Sequence, residues 1–213
     1  MQEELIMKMI IFATGNKDKM REIREILSDA LVEIRSMEEI GFYEEIEENG
    51  TTFIENATIK AKAVAQFTQK KEELKQAIVL ADDSGLEIDY LNKEPGVYSH
   101  RWLGNRTYTQ AMTDLIEQMH DVPEEKRSAR FVCSIAAVLP NGECLSVLET
   151  VEGKVAHEIS GENGFGYDPF FYVESFGCTT AQLTREQKNE ISHRGKALRA
   201  MKERLMPYLN ASD

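Results

Sequence analysis

Residues 10–27 read IIFATGNKDKMREIREIL, and within this stretch the hydrophobic period changes. Ile10 to Ala13 form an apolar run of strand length, Thr14-Gly15-Asn16 breaks it, and Met20, Ile23 and Leu27 then recur at helical spacing. Strand, tight turn and helix in that order read as α/β. Outward from there, Val32 to Ile34 is a second short strand, and Glu44 to Gly50 an acid-rich loop. Thr52-Phe53-Ile54-Glu55 fits a capping box opening a helix. Ala57, Ala61 and Ala65 recur on that helix, and their small side chains suit close packing. Lys60 follows Asn56 by four residues, so both can point the same way. Gln66 to Gln76 reads as a solvated helix end and connection.

Ile78-Val79-Leu80-Ala81 reads as a buried strand, broken by a turn at Asp82-Asp83-Ser84-Gly85. Beyond it, Leu86, Ile88 and Tyr90 alternate with Glu87 and Asp89 as in a half-exposed strand. Pro95-Gly96 marks a turn, and Met112, Leu115, Ile116 and Met119 predict an amphipathic helix. Phe131, Cys133, Ile135 and Ala137 alternate along a strand, Asn141-Gly142 is a hairpin signal, and Leu145, Val147 and Val151 belong to returning strand. Gly161, Gly164 and Gly166 surround a loop that ends at Tyr167-Asp168-Pro169, before the apolar run Phe170 to Val173. Ser192 can cap a last helix with the stripe Leu198, Met201 and Leu205. No internal repeat or linker divides the chain.

The 213 residues carry a formal charge of −12, with 42% hydrophobic and 29% charged residues. That is an ordinary globular composition, and its charge opposes broad binding to nucleic acid or an acidic membrane. A small anion would need a local basic pocket. Cys133, Cys144 and Cys178 show no CxxC spacing, which disfavours a zinc knuckle or a disulfide framework. Met1-Gln2-Glu3-Glu4 does not begin a secretory signal, and no run approaches the ~18 apolar residues of a spanning helix. The expected location is therefore cytoplasmic. Residues 1–8 are expected to be a flexible extension, 9–209 the folded domain and 210–213 a tail.

Four clusters carry candidate chemistry. The turn Thr14-Gly15-Asn16-Lys17-Asp18-Lys19 offers backbone N–H groups, a positive helix end and lysine countercharge to a phosphate, though GxxxxGK[ST] is absent. The adjacent carboxylates of Asp82 and Asp83 repel each other, and a divalent cation offsets that repulsion; equally, Asp, Ser and Gly are ordinary turn formers. One glutamate of the acidic loop can add a carboxylate to the same metal, the others forming a solvated face. Phe165-Gly166-Tyr167-Asp168-Pro169 offers rings to stack on a planar base and a carboxylate to accept from its N–H groups. Lys188 with Ser192-His193-Arg194 supplies donors for keto oxygens or phosphate.

Taken together and in order, these motifs resemble the inosine/xanthosine triphosphate pyrophosphatase family, hydrolases of non-canonical purine nucleotides. The resemblance is carried by Thr14 to Lys19, Thr52 to Ala57, Asp82 to Leu86, Pro95 to Ser99, Phe165 to Pro169 and Ser192 to Arg194. It spans about residues 9 to 206. It implies an elongated mixed β-sheet flanked by helices, two lobes with the active-site cleft between them, and a homodimer. It also implies Mg2+-dependent hydrolysis of ITP, dITP and XTP to monophosphate and pyrophosphate, by water attack at the α phosphorus.

Carried over by motif, Thr14 to Lys19 wrap the phosphates, with Lys19 as the main side-chain contact and Lys60 nearby. Asp83 is metal ligand and proton acceptor, and Asp82 supports the metal. Glu48 is the second metal carboxylate, with Glu47 as alternative, and Ser84 touches substrate. Phe165, Gly166, Tyr167 and Asp168 form the base pocket with Lys188, His193 and Arg194. Donors facing a 6-keto oxygen would reject ATP, since adenine leaves them unpaired. Rejection of GTP has no source visible in the sequence. The rival readings are a pyrophosphatase for modified pyrimidine or canonical nucleotides, and a nucleotide-binding regulatory module without hydrolysis.

Overall fold

The structure, a computed structural model, describes residues 8–28 and 32–210. The expected extension falls on residues 1–7, outside the described residues, except for Lys8, which opens the first strand; of the expected tail, residues 211–213 also lie outside. Seven strands form one mixed sheet in the order β2-β1-β3-β4-β5-β6-β7, accompanied by five α-helices among the described residues. The expected α/β class is observed. The strands are β1 (Lys8–Phe12), β2 (Val32–Ser36), β3 (Ile78–Ile88), β4 (Ser128–Val138), β5 (Cys144–Val155), β6 (Phe171–Val173) and β7 (Cys178–Thr179). The helices are α1 (Lys17–Ile26), α2 (Phe53–Thr68), α3 (Tyr108–Gln118), α4 (Arg185–Ile191) and α5 (His193–Leu209).

The chain divides into two compact units. Among the described residues, the first comprises 8–28, 32–83, 134–148 and 197–210, and the second 84–133 and 149–196. In the first unit β1 runs parallel to β2, with Ile10 opposite Ile34, and parallel to β3, with Ile10 opposite Ile78. Parallel strands need a crossover, and α1 and α2 lie in the two connections. Ala57, Ala61 and Val64 of α2 are fully buried with Ile11, Val79 and Ala81, so the alanine spacing did mark a tightly packed face. In the second unit β6 pairs antiparallel with β5 and β7, and Phe170, Phe171, Met112 and Leu115 anchor the core.

Two expectations require correction. Asp82-Asp83-Ser84-Gly85 is no turn: β3 runs unbroken from Ile78 to Ile88 and ends before Tyr90. Asp and Ser favour turns by bonding their own backbone. Here Asp82 is bonded by Lys19, Asp83 by Asn56 and Lys60, and Ser84 by Arg194, which leaves the backbone to the sheet. In β4 the expected alternation is one of side chain but not of burial, because Phe131 to Val138 are all buried, as in a strand covered on both faces.

Candidate functional site

In the first unit, the turn between β1 and α1 is organised by Asn16. Its side chain accepts from the backbone N–H groups of Asp18 and Lys19 at 2.9 and 3.1 Å, capping the helix, while Asn16 N–H donates to Thr14 Oγ1 at 3.2 Å. Two amides expected to face a phosphate are thus taken by the cap. A Cβ on Gly15 would meet only Met37 Cε, at an ordinary 3.4 Å, so the protein's own packing does not demand glycine there. Asp18 forms an exposed ion pair with Arg21 at 2.8 Å.

Lys19 does reach the acidic strand. Its ammonium lies 3.1 and 3.0 Å from the two carboxylate oxygens of Asp82, whose side chain has no exposed area. Next to it, Asp83 Oδ2 accepts from Asn56 Nδ2 at 3.2 Å, and Asp83 Oδ1 lies 3.3 Å from Lys60 Nζ. Lys60 also lies 2.7 Å from Glu48 Oε2. The spacing that put Asn56 and Lys60 on one side of α2 therefore brings both onto Asp83. Of the two glutamates considered, Glu48 is the one drawn into this cluster.

Burial pushes the Asp83 carboxyl above its ordinary value, against the pull of Lys60 and Lys19 and with the help of Glu48 and Asp82. Burial also disfavours the charge on Lys60, but Asp83, Asp82 and Glu48 together outweigh it and hold the ammonium above its ordinary value. Among the described residues no group of three or more His, Cys, Asp or Glu forms a metal-binding set. The donor chemistry that remains, two carboxylates converging on one cationic point, suits Mg2+, which binds through one or two carboxylates plus phosphate oxygens and water. Asp82 fits a direct ligand role less well, since both its oxygens face Lys19.

In the second unit, the loop before β6 is held by Asp168. Its Oδ2 accepts from Lys188 Nζ at 2.6 Å and from Phe165 N–H at 2.8 Å; its Oδ1 accepts from Thr180 Oγ1 at 2.9 Å. Gly164 sits at φ +74°, and a Cβ there would lie 2.1 Å from Asp168 Oδ2, so the loop closes tightly on the carboxylate. Lys188 and Arg194 lie over the Phe165 ring at 4.8 and 5.6 Å, and Arg194 donates to Ser84 Oγ at 2.9 Å. His193 stacks on Phe131 at 5.0 Å.

Sequence positions 165, 168, 188 and 194 are thus brought together, but Tyr167 is turned inward. Its hydroxyl donates to the Ser99 carbonyl at 2.9 Å, and its ring meets Tyr108 edge-on at 5.1 Å, within the core. Tyr167 thus anchors the loop to the core of the second unit, its ring also meeting Phe170 at 5.7 Å. Asp168 likewise spends its carboxylate on the protein.

Residues 10–204 match the sequence profile of the Ham1 family. The chain belongs to the Ham1 family. It is 45% identical over 202 residues to the dITP/XTP pyrophosphatase of Bacillus subtilis strain 168, covering 94% of this chain and 98% of that one. The HAM1 protein of Coxiella burnetii superposes with a TM-score of 0.82 at 39% identity, covering 94% of this chain and all of that one. The Ham1 protein of Staphylococcus aureus gives 0.80 at 37% identity, with 94% and 100% covered.

In this Ham1 chain the sequence reading set Asn56 beside Lys60 but gave it no role, and it missed Thr180 and Phe131 as site residues. Asn56 left one signal: an asparagine within a helix, beside a run of buried alanines, is a poor helix former that needs another reason to be there. Thr180 left none, since the bond it makes joins it to a residue twelve positions away.

Proposed function

We propose that this Ham1 protein hydrolyses non-canonical purine nucleoside triphosphates, dITP, XTP and ITP, to the monophosphate and pyrophosphate, with Mg2+ as cofactor. It is an enzyme of the nucleoside-triphosphate pyrophosphatase class. The observation that carries the reading is the convergence of Glu48 and Asp83 on Lys60, beside the Lys19–Asp82 pair, in a chain whose relatives bear that activity in their names.

Glu48 and Asp83 would hold the metal, with Asp82 supporting it through Lys19. Bound there, Mg2+ supplies charge neutralisation at the phosphate oxygens and favours deprotonation of the attacking water. The lysines at 17, 19 and 60, with Thr14, Gly15 and Asn16, hold the triphosphate. The Asp83 carboxylate takes the proton from the water that attacks the α phosphorus. Pyrophosphate leaves. Phe165 and Gly166 line the base site, and Lys188, His193 and Arg194 supply donors to a keto oxygen, with Ser84 as a further substrate contact. Asp168 and Tyr167 hold that loop in shape.

The homodimeric state and a cytoplasmic location belong to the same reading; no helix among the described residues is long and apolar enough to cross a membrane. The test is pyrophosphate release from dITP, XTP, ITP, GTP, ATP and dUTP under one Mg2+ condition. Preference for the first three is expected, and equal turnover of GTP and ATP overturns the substrate assignment. Asp83→Asn should abolish release while nucleotide binding persists; a wild type that binds without release would be a regulatory module.

A further inference from the structure

Asn56 stands in the first turn of α2 with no exposed surface. A buried amide has to be matched at both ends, and this one is matched to two separate parts of the chain. Its Oδ1 accepts from Gly50 N–H at 2.9 Å, and its Nδ2 donates to Asp83 Oδ2 at 3.2 Å. The partners fix which way the amide lies, because an N–H demands the carbonyl end and a carboxylate the amino end. Gly50 follows Glu48 by two residues in the acidic loop. A Cβ on Gly50 would lie 2.7 Å from Asn56 Oδ1 and 2.7 Å from Glu55 Cβ, so only glycine allows the loop to approach this closely without displacement.

We infer that Asn56 is a positioning residue that sets the relation between the Glu48 and Asp83 carboxylates, preparing them for a divalent cation. The inference rests on the reading that these two carboxylates hold the metal. Asn56 acts through its neighbours, restraining Asp83 by its carboxylate and the Glu48 loop by its backbone. The choice of an amide is chemically specific. A neutral donor fixes Asp83 Oδ2 without cancelling its charge, so Asp83 Oδ1 and Glu48 Oε2 are left facing a common point. Lys60 Nζ marks that point, 3.3 Å from one oxygen and 2.7 Å from the other, where positive charge is already sustained. In other proteins, removing ligand-orienting hydrogen bonds of this kind costs roughly 10- to 100-fold in metal affinity or activity.

The test compares Asn56→Ala, Gly50→Ala and Thr52→Ala in the full chain. Thr52 caps the same helix start, with Glu55 completing the box, yet bonds neither Asp83 nor Gly50. Mn2+ is titrated by electron paramagnetic resonance without nucleotide, and the Mg2+ concentration giving half-maximal pyrophosphate release from dITP and XTP is measured alongside. Asn56→Ala and Gly50→Ala should each weaken Mn2+ binding about 10-fold or more and raise the Mg2+ requirement in parallel. Thr52→Ala should lower the melting temperature but keep wild-type Mn2+ affinity. Wild-type Mn2+ affinity in both Asn56→Ala and Gly50→Ala overturns the inference, as does an equal loss in Thr52→Ala. Should Asn56→Ala not fold, Gly50→Ala decides. A wild type that binds Mn2+ but releases no pyrophosphate sinks the proposed activity, while the Mn2+ titrations still decide the part played by Asn56. A wild type that binds no Mn2+ overturns the metal assignment and this inference together.

Discussion

Lys19 Nζ holds both carboxylate oxygens of Asp82, at 3.1 and 3.0 Å, and the Asp82 side chain is fully buried within β3. This pair fastens the β1–α1 turn to the acidic strand, so its structural and functional effects can be separated. Lys19→Met removes the ammonium and leaves a buried carboxylate charge, which should cost about 3 kcal/mol of stability. Adding Asp82→Asn removes that charge and should return most of the stability, measured as the urea midpoint. Pyrophosphate release should stay low in the double variant, since Lys19 is also the proposed phosphate contact and Asp82 the proposed support of the metal. Recovery of activity along with stability would reduce Lys19 to a structural role.

Thr180 supports the proposed base-binding loop within the second unit. Its hydroxyl is the donor to Asp168 Oδ1, and Asp168 in turn fixes Phe165 N–H and Lys188. Thr180→Val keeps the shape but withdraws the donor, at a cost of about 1–3 kcal/mol for a buried acceptor left short of a bond. The KM for XTP should rise more than kcat falls, and Thr180→Ser should restore both. An unchanged KM in the valine variant would detach Asp168 from the base site.

The sequence exposed what local rules write. The period change across residues 10–27 became β1 and α1, and the Thr52–Glu55 box became the start of α2. What misled was local chemistry overruled from a distance. Asp82 to Gly85 carry turn-forming residues, but the groups that hold them extended come from α1, α2 and the start of α5. Helix α4 passed unseen because Arg185 to Ile191 is almost entirely polar; its capping box at Thr184 and Gln187 was the readable sign. The site clusters were legible as residue types in order. The division of labour within them was not, because nothing in the spacing tells that Tyr167 turns inward while Phe165 does not.

Asp89 provides a pH-dependent prediction away from the site. Arg130 donates to both its oxygens, at 2.8 and 3.0 Å, and Ser128 Oγ donates at 2.8 Å. The Arg130 bonds, aided by the bond from Ser128, hold its carboxyl below the ordinary value of 3.8 against the opposing effect of burial. A depressed carboxyl stabilises the fold at pH above its unfolded value, and that contribution is lost as the pH falls through its folded value. Asp89→Asn should therefore be less stable than wild type at neutral pH, by about 1 kcal/mol at most for so exposed a pair. Denaturant midpoints taken down to about pH 2 should converge. A gap that stays constant with pH would assign the loss to packing instead of charge.

Chelation separates the metal's part in catalysis from any part in folding. Lys19 already faces Asp82, and Lys60 already lies against Glu48 and Asp83, so the acidic strand has its countercharge from the protein. EDTA should accordingly abolish pyrophosphate release while lowering the melting temperature only slightly, and added Mg2+ should restore the activity. Lys60→Met changes the balance. With the ammonium withdrawn, Glu48 and Asp83 repel each other, and a cation that binds only the folded chain stabilises it by RT ln(1 + [L]/Kd). Mg2+ should then raise the melting temperature of Lys60→Met more than that of wild type. A melting temperature in the variant that ignores Mg2+ would show that Glu48 and Asp83 do not form a cation site, and activity surviving EDTA in the wild type would remove the metal from the proposed reaction.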